Sequence, residues 1–388
     1  MIEKSLEFNR PLHIVFVDFK KAFDSLKLSS LWTLLEKTPI NRAYIHLLKL
    51  TYDGSSAYIK CGIGITRAIN ILRGVKQGDI IAPLLFCIAI AAILYKTEEE
   101  TKYCRPPNQD DKYSGYSIGG QTTSNLGYAD DLGLTNSDKH NLQTFLTVLA
   151  KHAEEVGLQI NLDKTKCMTT DKQNSPLNLK LNGSPIEQVN EFQYLGHNLS
   201  NSNNHLTAVN HRISLGWAAF NKNNQMLKSN RIPSKVKGRL FQTYVLPVVL
   251  YGMDCVTWTQ PLINKMEVFQ NHAMRIMTGY RLIQRKPIRE LRAMTGLKPM
   301  ETHIRTKTLK LFGHIRRSTK GVSKLCLEGM VEGERSRGAP KRKWKNNITE
   351  WTGLDNWNTI HSSSLDRNHW KTISSINAQS ATLRRSER

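Results

Sequence analysis

The sequence predicts an α+β fold for its first half and an all-α fold for its second half. Up to about residue 200, short apolar runs bounded by turn residues alternate with longer helical patterns. From about His205 the apolar residues recur at helical spacing, and we expect helical pieces near 205–229, 234–258, 262–278 and 301–317. With 388 residues, 39% of them hydrophobic, the chain can form about two or three domains with ordinary buried cores.

The predicted elements of the first half follow one another in a clear order. We expect a strand at 14–17, a helical stretch at 29–52, a hairpin at 57–61 and 63–69, a buried helix at 84–94, a polar loop at 98–116, strands at 125–129 and 132–135, and an amphipathic helix at 142–156. The apolar run at 84–94 is too short to cross a membrane, which takes about 20 residues. Together these elements predict an antiparallel sheet covered by helices.

Three carboxylates stand at the ends of predicted strands. Asp18 directly follows the apolar run at 14–17, and Asp130 and Asp131 occupy the bend between the strands at 125–129 and 132–135. Carboxylates in such a cluster repel each other unless a cation stands among them. Mg²⁺ takes oxygen ligands from a few carboxylates and from substrate phosphates, and two such ions can hold the reacting oxygens of a phosphoryl transfer. Another acidic pair, at 110–111, lies in a polar stretch and predicts a solvated loop.

Five motifs in order carry a family resemblance. They are residues 15–24 (VFVDFKKAFD), 73–86 (RGVKQGDIIAPLLF), 127–131 (GYADD), 157–166 (GLQINLDKTK) and 192–196 (FQYLG). In this order and spacing they resemble motifs A to E of the reverse transcriptases of non-LTR (LINE-type) retrotransposons. The resemblance covers roughly residues 12–199. It continues more weakly through residues 247–252 (PVVLYG) to 335–344 (RSRGAPKRKW).

The resemblance implies a polymerase palm with an antiparallel sheet, followed by an all-α thumb and a helical C-terminal region. We expect a palm over 1–200, a helical thumb and connection over 201–320, and a basic, partly disordered tail over 321–388, with disorder from about Thr372. In the family, a fingers region and an endonuclease precede the palm. We expect both to be missing here, and we therefore expect little polymerisation by this chain alone.

The resemblance also implies roles for the acidic residues. Asp18 and Asp130 would be metal ligands, with Asp131 as the supporting carboxylate and the Phe19 carbonyl as a further oxygen. The expected cofactor is a pair of Mg²⁺ ions, with Mn²⁺ as a substitute. Lys164 is a candidate for protonating the leaving pyrophosphate or countering its charge. The alternative for Lys164 is an ordinary exposed lysine near a strand.

Further roles concern the nucleotide and the primer. Phe23 would close the pocket where a ribose 2′-OH would sit, or it is simply a core aromatic at a strand–helix junction. Gln77 would hydrogen-bond the incoming nucleotide, and glycine at position 78 permits close backbone approach. By resemblance, the residues Tyr194, Leu195 and Gly196 belong to the primer grip, a hairpin whose backbone steers the primer 3′ end. Their alternative is an ordinary β-hairpin.

Charge is distributed unevenly along the chain. Residues 1–200 contain 22 Lys and Arg against 21 Asp and Glu, whereas residues 201–388 contain 33 against 11. The net charge of +23 therefore lies almost entirely in the second half, which suits a polyanion because phosphate contacts release counterions. Cations that would meet a duplex are Arg212, Lys222, Lys228, Arg231, Lys235, Lys237 and Arg239, although a solvated helix face must explain several of them. Attraction to an acidic membrane surface is the weaker alternative.

Cysteine usage and the chain start bound the compartment. The six cysteines are scattered without a Cys-x-x-Cys pair, which argues against a zinc site and a disulfide framework and favours a reducing environment. The first residues, MIEKSLE, are unlike a signal peptide, and no transmembrane segment is predicted. We expect an intracellular protein, nuclear or cytoplasmic, without membrane partners.

Three functions compete at this point. The first is an RNA-directed DNA polymerase that uses two metal ions, an RNA template, a DNA primer, the RNA–DNA duplex and deoxynucleoside triphosphates. The second is a catalytically inactive, nucleic-acid-binding remnant of such an element. The third is a palm-fold nucleotide cyclase, which the Gln77-Gly78 pair and the long basic second half argue against.

Overall fold

The computed structural model describes residues 1–62, 64–103, 115–171, 176–319, 321–335, 341–354 and 356–383. The chain divides into two compact units. The first unit is Met1–Asn190 together with Met330–Arg335, and the second is Glu191–Gly329 together with Ser336–Arg388.

The first unit mixes helices with short strands. Its helices are α1 (Ile2–Glu7), α2 (Ala22–Ser25), α3 (Leu28–Glu36), α4 (Arg42–Tyr52), α5 (Ala82–Tyr103) and α6 (Lys139–Glu155). Its strands are β1 (His13–Val17), β2 (Ser56–Ala57), β3 (Lys60–Cys61), β4 (Gly64–Ile65), β5 (Ile69–Asn70), β6 (Tyr116–Ile118), β7 (Gln121–Thr123), β8 (Asn125–Tyr128), β9 (Asp131–Asn136), β10 (Lys166–Thr169), β11 (Lys180–Leu181), β12 (Ser184–Pro185) and β13 (Glu187–Gln188).

A five-stranded sheet forms the centre of the first unit. Its strand order is β13-β10-β1-β9-β8, and every pairing is antiparallel except that of β10 with β13. The middle strand β1 is buried along its whole length, because it has a neighbour on each side. Side chains alternate across a sheet, so Val15 and Val17 point to one face and join the same core as Leu134 of β9 and Phe86 of α5. The predicted α+β class with an antiparallel sheet is confirmed.

Two predicted elements differ in extent. Helix α5 continues to Tyr103, so the prediction of a loop is wrong for residues 98–103. Residues 104–114, with the acidic pair at 110–111, lie outside the described residues. In the polar end of α5, Thr97 and Thr101 donate their hydroxyls to carbonyls one turn earlier, which satisfies these buried polar groups within the helix. The helical stretch expected at 29–52 is two helices. Asn41 begins the second by accepting a hydrogen bond from the Ala43 amide.

The second unit is a hairpin followed by helices. The hairpin is β14 (Glu191–Tyr194) and β15 (His197–Ser200). The helices are α7 (Leu206–Lys222), α8 (Asn224–Leu227), α9 (Ser234–Tyr244), α10 (Leu246–Val249), α11 (Gln260–Thr278), α12 (Ile288–Thr295), α13 (Met300–Arg317), α14 (Val322–Glu328), α15 (Trp344–Thr352), α16 (Trp357–Ser363) and α17 (Arg367–Leu383), with 3₁₀ turns at Met253–Cys255 and Leu282–Gln284. None of the described helices is long and apolar enough to span a membrane.

Tryptophans anchor the end of the chain to the core of the second unit. The indole of Trp370 donates to the Leu309 carbonyl at 2.7 Å, and that of Trp344 donates to the Asp254 carbonyl at 2.8 Å. Trp370 also packs against Phe312 at 5.3 Å between ring centroids. Tryptophans close to basic residues can also stack on nucleic-acid bases, but these contacts support an anchoring role for Trp344 and Trp370. Helix α17 continues to Leu383, through residues where we expected disorder from Thr372.

Candidate active site

The acidic pair lies on a tight hairpin turn. Tyr128 of β8 pairs with Asp131 of β9, which leaves only Ala129 and Asp130 in the loop. A two-residue loop requires positive φ angles, and Ala129 adopts φ +53°. The turn therefore projects Asp130 from the tip of the sheet and leaves Asp131 as the first residue of the returning strand.

The pairing of the central strands brings Asp18 to the same place. Val17 of β1 pairs with Leu132 of β9 in an antiparallel register. One further step along that register sets Asp18 opposite Asp131. The two motifs expected to carry the carboxylates thus meet at one end of adjacent strands.

The pKa of Asp131 agrees with a cluster of negative charge at this place. The pKa of Asp131 is raised above its usual value, first by burial and then by the negative charges of Asp130 and Asp18. A raised carboxyl pKa means that ionisation is unfavourable in this setting. A cation among the three side chains would reverse that cost.

The side chains of this cluster have donor atoms suited to a divalent cation. All of these donors are carboxylate oxygens, which Mg²⁺ and Mn²⁺ prefer. Asp18 Oδ2 is buried and accepts no hydrogen bond from the described residues. Its cationic neighbour, Lys164 Nζ, lies 3.7 Å away. In the described parts of the chain, no group of three His, Cys, Asp or Glu side chains is already arranged to hold a metal ion. The donor chemistry fits, and the carboxylates would have to rotate towards an ion.

Backbone hydrogen bonds place Lys164 beside Asp18. The segment before β10 runs antiparallel to the residues after β1, with a bridge between Phe19 and Ile160. The Asn161 amide donates to the Asp18 carbonyl at 2.8 Å, and the Asp18 amide donates to the buried Thr165 hydroxyl at 3.3 Å. These bonds hold the segment that carries Lys164 against Asp18. The Lys164 side chain itself is 69% exposed.

Gln77 and Gly74 lie against the helix after Asp18. Gln77 Nε2 donates to Asp24 Oδ1 at 2.8 Å, and the Gly74 amide donates to the Leu26 carbonyl at 2.8 Å. A Cβ on Gly74 would lie 2.8 Å from the Asp24 Cα, so only glycine allows this approach. Gly78 differs, because it has φ +88° but no atom of the described residues lies within 4 Å of an added Cβ. Open space beside Gly78 leaves room for a substrate.

The position of Phe23 is compatible with both sequence interpretations, a core aromatic and a residue that closes the sugar pocket. It lies on α2, and its ring stacks on the buried Phe86 ring with 4.6 Å between centroids. The side chain is only partly buried, so one part packs on the core and the rest is open. Its role as a gate against ribose remains a prediction.

The residues expected in the primer grip lie in the second unit. Tyr194 pairs with His197, and Leu195 and Gly196 form the two-residue loop between β14 and β15. A hairpin at this position follows from the motif. Its role with the primer remains a prediction.

Several neighbours of these sites could not be identified from the sequence. Asp24 lies within the first motif but gave no sign that it binds Gln77, and Thr165 gave no sign that it supports Asp18. Arg212 and Lys237, assigned to a duplex-facing surface, are buried. Lys237 Nζ donates to the Met277 carbonyl at 2.6 Å, near the end of α11, and so stabilises a helix end instead.

Comparison with known proteins places the chain in a family. Residues 4–199 match the model of the reverse transcriptase (RNA-dependent DNA polymerase) family, which is just over half of the chain. The chain belongs to this family. Reverse transcriptases generally use divalent metal ions, in agreement with the donor chemistry of the acidic cluster.

Relatives of the chain include proteins of retrotransposons. It is 27% identical over 213 residues to an uncharacterized transposon-derived protein of Caenorhabditis elegans, covering 53% of this chain and 75% of that protein. It is 28% identical to the Pol polyprotein of the type-2 retrotransposable element R2DM of Drosophila melanogaster, covering 43% of this chain and 14% of the relative. It is 24% identical to an RNA-directed DNA polymerase from transposon X-element of the same fly, covering 68% of this chain and 28% of the relative.

These matches confirm the resemblance to retrotransposon reverse transcriptases. The chain spans less than a third of the last two relatives. Among solved structures, telomerases of Candida albicans and Candida tropicalis in complex with a fragment of telomeric RNA align with TM-scores of 0.36 and 0.41. Identities are 13% and 12%, with 84% and 95% of this chain and 51% and 49% of the telomerase chains covered. Scores at this level do not establish a shared fold.

Proposed function

We propose that this chain is the polymerase part of a non-LTR retrotransposon protein and that it catalyses RNA-directed DNA synthesis from deoxynucleoside triphosphates. One observation carries the proposal. The strand register pairs Val17 with Leu132, so the adjacent residues Asp18 and Asp131 come at the same end of neighbouring strands in a chain of the reverse transcriptase family. An RNA template paired with a DNA primer is the substrate that this family membership suggests.

Asp18, Asp130 and Asp131 would hold the divalent ions, two Mg²⁺ or Mn²⁺. Bound there, the ions would supply positive charge to the triphosphate and acidity to the primer hydroxyl. The three carboxylates supply the oxygen ligands. The raised pKa of Asp131 supports this role, because desolvation and then the negative charges of Asp130 and Asp18 disfavour its ionised form, which a cation would stabilise.

Other side chains of the first unit would orient the nucleotide. Lys164, held next to Asp18, brings a positive charge or a proton to the leaving pyrophosphate. Gln77 uses its Nε2 to bind Asp24, so its Oε1 can accept a hydrogen bond from a nucleotide. Phe23, fixed on one side by Phe86, would present its open side to the sugar.

Primer extension on an RNA template tests the proposal. Because we expect little polymerisation by this chain alone, the wild-type chain is used in excess over a primed template, where slow primer extension with deoxynucleotides and Mg²⁺ or Mn²⁺ is still measurable. Asp130→Asn should reduce the rate at least about 100-fold, because the missing carboxylate acts on charge that develops in the transition state. Duplex affinity should change less than about twofold, since Asp130 contributes no attraction to phosphates.

Asp163→Asn is the matched control, because Asp163 is an exposed carboxylate on the segment that carries Lys164. It should leave the extension rate unchanged. A wild-type chain that binds the primed template but never extends it would favour the inactive, nucleic-acid-binding remnant.

A further inference from the structure

The turn of the primer-grip hairpin has an unusual backbone. Leu195 and Gly196 have φ angles of +48° and +71°. Hairpin turns with two residues favour such angles, but a bulky residue such as leucine rarely adopts them. Contacts from outside the hairpin must therefore stabilise this conformation.

Two side chains from the helical part of the second unit make those contacts. The Tyr251 hydroxyl donates to the Leu195 carbonyl at 3.1 Å, and the Arg212 guanidinium donates to the Gly196 carbonyl. The guanidinium also lies over the Tyr251 ring, 4.6 Å from its centroid. Arg212 is buried, and burial lowers its pKa. Both carbonyls of the turn are thus held by one stacked pair.

The rest of the hairpin packs along α7, the helix that carries Arg212. Thr207 of α7 donates to the Glu191 carboxylate at 2.9 Å. His211 Nε2 lies 3.4 Å from the side-chain nitrogen Nε2 of Gln193. The residue after Tyr251 contributes as well. Gly252 has φ +70°, and a Cβ there would lie 3.0 Å from His197 Nδ1. The Tyr-Gly pair of the 247–252 motif therefore fits against the hairpin at its turn and at its returning strand.

Anchored carbonyls determine where the amides of the turn point. In a trans peptide unit the carbonyl and the N–H point in opposite directions. The Gly196 N–H shares a peptide unit with the Leu195 carbonyl, so it points away from Tyr251. The turn is open to solvent in part, since Leu195 is 37% exposed. A backbone N–H on an open turn is a good donor to a phosphate.

We infer that Arg212 and Tyr251 are positioning residues for the primer terminus. They hold the Leu195–Gly196 turn from behind, so that its open side meets the primer backbone next to the 3′ end. Neither side chain touches the primer in this arrangement. The inference rests on the proposed function, since it supposes that the hairpin binds a primer.

Tyr251→Phe in the full chain tests the inference, because it removes one hydroxyl and keeps the ring. Three quantities are measured. They are amide hydrogen exchange across residues 191–200, the ratio of affinities for an RNA–DNA duplex with a recessed DNA 3′ end and for a blunt duplex, and the single-turnover extension rate. Tyr244→Phe is the matched control, since Tyr244 is exposed and its hydroxyl has no hydrogen-bond partner among the described residues.

For Tyr251→Phe we expect exchange at the turn to rise about three- to tenfold, as removal of one hydrogen bond implies. The preference for a recessed end and the extension rate should fall by similar factors. Blunt-duplex affinity and the melting temperature should stay near the wild-type values, because the hydroxyl serves only the turn. Arg212→Lys should retain more of the end preference than Arg212→Met, since lysine keeps a donor for the Gly196 carbonyl.

Any of three results would overturn the inference. The first is unchanged exchange at the turn in Tyr251→Phe. The second is faster exchange in this variant with no loss of the preference for a recessed end. The third is a wild-type chain with no preference for a recessed end. A wild-type chain that prefers recessed ends in a Tyr251-dependent manner but makes no DNA would support the inference and contradict the proposed function.

Discussion

Asp131 is the residue whose electrostatics report the state of the acidic cluster. Because its folded-state pKa is raised by burial and by Asp130 and Asp18, the folded chain binds more protons than the unfolded chain as the pH rises towards that pKa. Stability therefore falls as the pH rises through the raised pKa, and the full penalty is present above it.

We predict that Asp131→Asn stabilises the cation-free chain at neutral pH. The variant lacks the unfavourable charge, and its advantage over wild type should shrink as the pH falls through the Asp131 pKa. Thermal unfolding in a chelator between about pH 4 and 8 measures the effect. Adding Mg²⁺ or Mn²⁺ should stabilise wild type at neutral pH and the variant less. A variant less stable than wild type in the chelator would contradict the proposed repulsion.

The partly open ring of Phe23 leads to a prediction about the sugar of the nucleotide. Phe23→Val should admit ribonucleotides, because it removes the ring where a 2′-OH would clash. Discrimination between the two sugars should fall at least about tenfold. Phe23→Tyr keeps the ring and should keep the discrimination. The measurement is the ratio of incorporation rates for matched deoxy- and ribonucleotides. An unchanged ratio in Phe23→Val would mean that another residue excludes the ribose 2′-OH.

The melting temperature must accompany that experiment, since Phe23 also stacks on Phe86. Removal of a partly buried ring costs about 1–3 kcal/mol of unfolding free energy. A folded variant with unchanged duplex binding separates selectivity from simple instability.

At the level of elements, the two glycines flanking residues 75–77 have different roles. Gly74 contacts the Asp24 backbone, whereas Gly78 faces open space. Gly74→Ala should therefore destabilise the fold by about 2 kcal/mol or more, through clash as well as positive φ. Gly78→Ala meets only the backbone cost of about 1 kcal/mol.

Primer extension is the second measurement, because the variant with the smaller loss of stability, Gly78→Ala, should lose activity. Gly78→Ala should stay folded and yet lose extension, since its Cβ would enter the space that we assign to the substrate. Denaturant unfolding and primer extension, measured on the same preparations, check the prediction. Gly78→Ala with full activity would mean that no substrate approaches this turn.

Elements with a strong local signal were predictable from the sequence. The strand before Asp18 was expected at 14–17 and is β1 (His13–Val17), because a buried central strand gives a nearly continuous apolar run, here residues 14–17. The end of α5 was not predictable, since the helix continues through polar residues after its apolar run ends, where the apolar pattern gives no signal. Helix α12, with eight residues, is too short for a clear periodic pattern.

The residues of the candidate site also divide into those that the sequence predicts and those that it does not. The acidic residues could be found because turn geometry and a motif point to the same positions. Partners formed by long-range packing could not, as with Asp24 for Gln77 and Arg212 for the hairpin turn. Charge alone assigned Arg212 to a solvent surface, whereas the fold buries it against Tyr251.

Over the whole molecule, the basic charge of the second half predicts salt-dependent binding to a nucleic-acid duplex. Four exposed cations follow one another near and along α9: Lys228, Arg231, Lys235 and Arg239. Within the described residues none of the four forms an ion pair. Lys235 and Arg239 are four residues apart on one helix and so share a face. Such unpaired charges are accessible to phosphates, unlike the buried Arg212 and Lys237.

Replacing these four cations with glutamine in the full chain should weaken binding to an RNA–DNA duplex and flatten its salt dependence. For each phosphate that is no longer neutralised, the slope of log affinity against log salt should decrease in magnitude by about one. The matched control replaces four exposed cations of the first unit, Lys37, Arg42, Lys139 and Lys180. Because both variants have the same net charge, a difference between them isolates position from total charge. Equal slopes for the two variants, from about 50 to about 200 mM salt, would show that the second unit binds through diffuse charge and that α9 has no special contact with the duplex.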